Sequence, residues 1–121
     1  MSLDIYLINT KQITCKCGEV HEIETDKVVY DGNITHNLTK MAIESGIYNF
    51  LWRPEEIGIT KAGELIQPLT IAVKLLNKNQ KKFEQFDSSN GWGTYKTFVP
   101  FVEKYLEACI EFPNAKIEVS R

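Results

Sequence analysis

Three short segments of this chain carry the residue types that recognise small polar ligands. The first is Asn90-Gly91-Trp92-Gly93-Thr94-Tyr95, in which two glycines bracket a tryptophan just ahead of a patterned helix. Glycine permits the tight turns that hold a large ring in one direction. A rigid aromatic in such a loop can stack on a flat ligand while nearby backbone amides donate to it. The second segment is Asn33-Ile34-Thr35-His36-Asn37, and the third is Trp52-Arg53-Pro54-Glu55-Glu56. Trp52 and Tyr95 join Trp92 as candidate stacking rings. Asn33, Thr35, His36, Asn37, Arg53, Asn90 and Arg121 are the candidate polar ligand contacts.

Each segment also has a plainer reading. His36 and Asn37 fall at a predicted helix start, where free N–H groups and a partial positive charge attract anions. An imidazole and a carboxamide there can add directed bonds to phosphate or ribose. Equally, Asn33, Thr35 and Asn37 can simply cap and turn the chain. Arg53 can grip a phosphate or carboxylate through two parallel bonds, or stack on a base. It can instead bind Glu55 or Glu56 and lock its own loop.

Catalytic and metal chemistry are poorly represented. His36 lacks a visible nucleophile or orienting carboxylate, so a hydrolase that uses it ranks last. Gly91 and Gly93 form neither a P-loop nor a dinucleotide fingerprint. Cys15-Lys16-Cys17-Gly18 with His21 has one residue between its cysteines, where a zinc knuckle has two, and no second pair completes a tetrahedron. A hairpin turn with incidental thiols is expected there, with no metal and no cofactor. A half-site completed by a second subunit stays open.

Composition bounds the remaining classes. The chain has 121 residues, 43% hydrophobic and 25% charged, enough for one domain with a real core. A net charge of −2 and a pI near 5.7 argue against general nucleic-acid binding. Lys74, Lys78, Lys81 and Lys82 read as a solvated helix face. No apolar run approaches the ~20 residues of a membrane span, and the N-terminus does not resemble a signal peptide. A cytoplasmic protein is expected. Three cysteines in a reducing compartment make a disulfide framework unsuitable.

The elements that must position these groups follow from periodicity. Leu3, Ile5 and Leu7 alternate as a strand, and Val20 to Glu24 and Lys27 to Tyr30 read as two more, the last closed by a turn at Asp31-Gly32. These make a small meander or pair of hairpins. Thr35 is a predicted N-cap, with Leu38, Met41, Ala42 and Ser45 at helical spacing before Gly46. A short turn spans Ile47 to Trp52, up to Pro54. Thr60 is expected to cap a helix carrying Leu65, Ile66, Leu69, Val73 and Leu76, which Pro68 kinks or begins. Phe83 and Phe86 continue the packing after a break near Asn77 to Asn79. The last helix starts at Thr94 or Thr97 and runs through Phe98, Phe101, Val102, Tyr105, Leu106 and Cys109. Lys116 to Ser120 alternates as a final strand. The expectation is a single α+β domain over 1–121, with a small antiparallel sheet of N-terminal hairpins and the C-terminal strand packed against about three helices.

The chain also resembles a family of small bacteriophage and prophage proteins without a settled activity. The resemblance rests on Met1 to Leu7, Asn33 to Leu38, Met41-Ala42, Gly46-Ile47-Tyr48, Leu51 to Glu56, Asn90 to Tyr95, Tyr105 to Cys109 and Val119-Ser120-Arg121. It implies a viral protein acting in the host cell cytoplasm. Small acidic phage proteins without catalytic motifs often inhibit host defence. The leading expectation is therefore a non-enzymatic binder that sequesters a small nucleotide-derived immune signal. Trp92, Trp52 and Tyr95 would stack on the base, while Arg53, Arg121 and Thr35 to Asn37 would hold phosphate or ribose. The alternative partner is a host defence protein bound directly, with Trp52, Arg53 and Trp92 as anchors. Homo-oligomer formation is left open.

Overall fold

Leu3, Ile5 and Leu7 are fully buried, whereas Ser2, Asp4 and Tyr6 between them are partly exposed. That alternation is what a strand with one covered face requires. The computed structural model describes residues 2–9, 13–14, 20–21, 27–87, 91 and 93–121. In it β1 (Ser2–Asn9) is the central strand of a three-stranded antiparallel sheet. A two-stranded ladder pairs β2 (Ile13–Thr14) with β3 (Val20–His21). The neighbours of β1 are β4 (Lys27–Thr35) and β5 (Lys116–Ser120). The small antiparallel sheet with the C-terminal strand is as expected, but of the meander or hairpins only β2–β3 pairs in sequence, and β1 pairs instead with β4 and β5. Cys15, Cys17, Gly18 and the predicted strand end at Glu22 to Glu24 lie outside the described residues.

The Asp31-Gly32 turn is a second correction, because β4 continues through both residues to Thr35. Gly32 pairs with Ile5, on the covered face. A Cβ there would come within 2.8 Å of the Tyr30 hydroxyl and 3.0 Å of Phe101. The glycine therefore serves a close approach between strand and aromatics, not a turn.

Helices cover that face. A 3₁₀ turn, His36–Leu38, leads into α1 (Thr39–Glu44), and α2 (Tyr48–Trp52) follows before a 3₁₀ turn at Pro54–Ile57. Thr60 does not cap a helix. Its carbonyl accepts from the Ile117 amide, and the Ala62 amide donates to the Ala115 carbonyl, which keeps this stretch extended against the start of β5. The chain then turns through Ala62–Leu65 into α3 (Ile66–Lys78), so Pro68 falls in the first turn, where a missing N–H is harmless. A break at Asn79 separates α4 (Gln80–Glu84), and α5 (Tyr95–Glu111) closes the layer. Where about three helices are expected, the described residues form five, of which α3 and α5 are the long ones, and the α+β class holds. The Tyr95 hydroxyl donates to the Leu76 carbonyl and the Gly63 amide to the Pro113 carbonyl, both at 2.8 Å, which sets α3 and α5 antiparallel.

One apolar cluster joins β1, β4 and all five helices, with Trp52, Tyr105, Phe83 and Phe98 its largest fully buried side chains. Each such ring contributes about 1.5–3 kcal/mol by leaving water. Beneath β4, Tyr30 stacks on Tyr105 at 5.5 Å between ring centres. Burial, with the neighbouring Cys109 and Asp31, pushes the Tyr30 phenol up to about 12, and burial alone pushes the Cys109 thiol up to about 12. Tyr105 rises well above its ordinary value for the same reason.

These three groups are acids held neutral by the fold, so stability is complete below their ordinary values and falls as pH rises through the raised ones. The melting temperature should accordingly stay level to pH 9 and drop between pH 9 and 12. In Cys109→Ala the drop should begin later, relative to that variant's own neutral value; a circular-dichroism melt at each pH reads it.

Thr94, extended at φ −123°, is the N-cap of α5, so Pro100 lies inside the helix and not in its first turn. Its missing N–H leaves the Lys96 carbonyl without its helical partner. Pro100 is exposed, so Pro100→Ala restores the bond without touching the core. The substitution should raise stability by about 1–3 kcal/mol, measured by denaturant titration.

Candidate functional site

The segments singled out by residue type meet at the end of β4. Thr35 is extended and its Oγ1 accepts from the Asn37 amide at 3.2 Å, fixing the turn that presents His36. Both the capping reading of Thr35 and its placement beside His36 hold. The helix it opens is a 3₁₀ turn followed by only six α-helical residues, too short for a strong terminal field.

Trp52 reaches this turn from α2. Its ring is 2% exposed and stacks on Tyr48, 5.4 Å away and tilted by 22°. Its indole Nε1–H donates to His36 Nδ1 at 3.0 Å. Trp52 is therefore corrected from ligand platform to core residue, since its ring has no free face to offer. Tyr95 is corrected likewise: it is buried, its hydroxyl donates to Leu76 and its amide to the Asp87 carboxylate at 2.7 Å.

Gly93 brings in the glycine-bracketed segment. A Cβ on it would lie 3.0 Å from Thr35 Cγ2 and 3.1 Å from Asn37 Cβ, and its φ is +100°, a conformation other residues rarely adopt. Close packing on the Thr35–Leu38 turn and a permitted backbone both call for glycine here. Asn90 and Trp92, on which the loop's ligand role rested, lie outside the described residues.

Two guanidinium groups edge this cluster. Arg53 donates from Nε to the Tyr48 hydroxyl at 3.2 Å and from Nη1 to Glu56 at 2.7 Å. The Glu56 bond, then the Tyr48 bond, push its pKa still higher. Arg121 donates to the Trp52 carbonyl at 2.8 Å and pairs with Glu55. The Glu55 carboxyl is held below its usual range, first by its own backbone amide and then by Arg121. The loop-locking alternative for Arg53 is thus the geometry observed. Both pairs are partly exposed, so each contributes little to stability. Each guanidinium keeps its Nη2 unpaired among the described residues.

Asn33 belongs elsewhere. Its amide donates to Ser2 Oγ at 2.9 Å and Asp4 Oδ1 at 2.7 Å, on the open face of the sheet. Asp4, Asp31 and Glu118 share that face, flanking Tyr6. Three carboxylates repel an anionic ligand, so Asn33 is corrected from a ligand contact beside Thr35 and His36 to a sheet-face residue bonded to Ser2 and Asp4. Among the described residues no three His, Cys, Asp or Glu side chains could hold a metal ion, and no helix is long and apolar enough to cross a membrane.

The chemistry of the cluster follows from one assignment. Nδ1 of His36 accepts from Trp52, so the neutral ring carries its proton on Nε2. The lone pair a general base needs is occupied, and what remains is a fixed N–H donor. Thr35 Oγ1 is engaged as a cap and Thr39 Oγ1 donates to the His36 carbonyl, so neither is an activated nucleophile. The arrangement suits binding. Tyr48 carries no ligand-binding signal in its residue type, and its spacing of four from Trp52 on a helix is the one sequence sign of their contact.

The fold and site define an α+β protein with a hydrogen-bonded polar cluster at the sheet-to-helix joint. No protein-family model, curated protein or solved structure matches the chain.

The tautomer is directly measurable. Two-dimensional ¹⁵N–¹H spectra should show His36 protonated at Nε2 and unprotonated at Nδ1 near neutral pH. Trp52→Phe removes the indole donor and should cost about 0.5–1.5 kcal/mol for the hydrogen bond while releasing the tautomer preference. A wild-type His36 protonated at Nδ1 would overturn the assignment.

Proposed function

We propose that this protein is a non-enzymatic binder of a small nucleotide-derived ligand, acting in a host cell cytoplasm to sequester an immune signal. The observation that carries the reading is the His36–Trp52 bond, which converts the imidazole from a base into an oriented donor. Binding gains from donors fixed before the ligand arrives, because less freedom is lost on association. His36 Nε2–H and the Nη2 groups of Arg53 and Arg121 are then the phosphate and ribose contacts, with Asn37 beside them. Trp92 keeps the stacking role that its place between two glycines suggests. The source of the ligand rests on the resemblance to phage proteins, since small acidic phage proteins without catalytic motifs often inhibit host defence.

The second reading, direct binding to a host defence protein, draws on one feature. Ile57 is 41% exposed beside Arg53, Glu55 and Glu56, an apolar residue inside a charged rim.

Titration calorimetry with a panel of linear and cyclic nucleotides separates the readings. The sequestering protein should bind one class stoichiometrically and return it chemically intact after denaturation. His36→Ala and Arg53→Ala should each weaken binding about tenfold or more, as the loss of a charged or oriented hydrogen bond does. Melting should be little changed in Arg53→Ala, whereas His36→Ala also strands the Trp52 indole donor and should lose about 1–3 kcal/mol of stability. Product formation beyond one equivalent would establish an enzyme instead. No nucleotide binding, with a host protein retained through Ile57, would establish the second reading.

A further inference from the structure

The outer surface of the α3–α5 layer is polarised along its length. α3 ends in Lys78 and begins beside Glu64, while α5 begins with Lys96 and ends with Glu111, and all four side chains are exposed. Because the helices are antiparallel, both lysines lie at one end of the layer and both glutamates at the other. In α5 this arrangement opposes the helix dipole, since the first turn has no acid and the last turn no base. The isolated chain gains nothing from that placement. At the middle, Ile71 is 59% exposed on α3, and Glu103 and Lys104 are adjacent and exposed on α5.

From this pattern we infer that the α3–α5 face docks a second copy of this chain about a two-fold axis perpendicular to the helices. An axis through Ile71 sets that residue on its own copy and places Lys78 opposite Glu64 of the second copy. At the same level on α5 the axis passes between Glu103 and Lys104, each facing the other's opposite charge, and places Lys96 opposite Glu111 of the second copy. The Tyr95–Leu76 and Gly63–Pro113 bonds hold the two helices in the level relation that lets one axis satisfy both. An isologous interface of this kind closes as a dimer. The other orientation, with the axis along the helices, stacks lysines on lysines and is repelled.

Sedimentation equilibrium on the 121-residue chain, across protein concentration and salt, tests the inference. The wild type should dimerise, more weakly at high salt. Lys96→Glu and Glu111→Lys each place like charges together twice per dimer, and each should weaken self-association about tenfold or more. Mixing the two variants should restore a dimer, because every contact in the mixed pair is then attractive. Ile71→Asp should abolish pairing, with circular dichroism confirming that all variants fold. A monomeric wild type, a dimer indifferent to these reversals, or two variants that fail to pair when mixed would each overturn the proposal.

Discussion

A buried indole must hand its N–H to an acceptor, and in this fold that acceptor is His36 on the turn leaving β4. An unmet donor at that depth would cost about 1–3 kcal/mol, a large part of the margin by which small domains stay folded. Several features depend on the bond being made. It fixes which imidazole nitrogen carries the proton, and it pins α2 to the end of the sheet. It also leaves the Trp52 carbonyl at the helix end, where Arg121, just past β5, donates to it. Tyr48 stacking holds the ring that makes the bond, and the same tyrosine orients Arg53 through its hydroxyl. The polar groups around His36 are thus positioned by core packing and not by loop chemistry alone.

That dependence separates what was legible in the sequence from what was not. The alternation in β1, the apolar stripe of α5 and the Thr35 cap are local signals written over a few residues, and each is realised. The Asp31-Gly32 pair carries an equally local turn signal, but Gly32 answers to Phe101, nearly seventy positions away. Thr60 is composed like a cap and is instead held extended by Ile117. In both cases a long-range contact overrides a short-range preference. The five residues of α2 are too few to display a buried face, so Trp52 read as a loop aromatic available to ligand. Its true partner lies sixteen positions back, at no spacing that periodicity can register.

The same logic explains why the convergence of the three segments was visible only as a suspicion. Residue types suggested a common pocket. Geometry joins the Thr35–Leu38 turn to Trp52 by a hydrogen bond and to Gly93 by close packing, and attaches Arg121 through a backbone carbonyl. It removes Asn33, which the sequence had grouped with its neighbours, because alternate residues of a strand face opposite ways. Asn33 points to the open face with Asp4, while Ile34 enters the core.

The distribution of charge then narrows where an anion could be held. The open sheet face offers Asp4, Asp31 and Glu118, and among the described residues only Lys116 at its end opposes them. The joint at the end of β4 offers two guanidinium groups, each half satisfied by a glutamate and each with a donor left over among the described residues. A glutamate on each arginine does not forbid a phosphate. It keeps the guanidinium plane oriented while the site is empty, and an exposed ion pair is weak enough to be exchanged for a stronger, charge-assisted one. The recognition proposed for this protein accordingly belongs to the joint between its layers, where backbone direction changes and packing already fixes the donors.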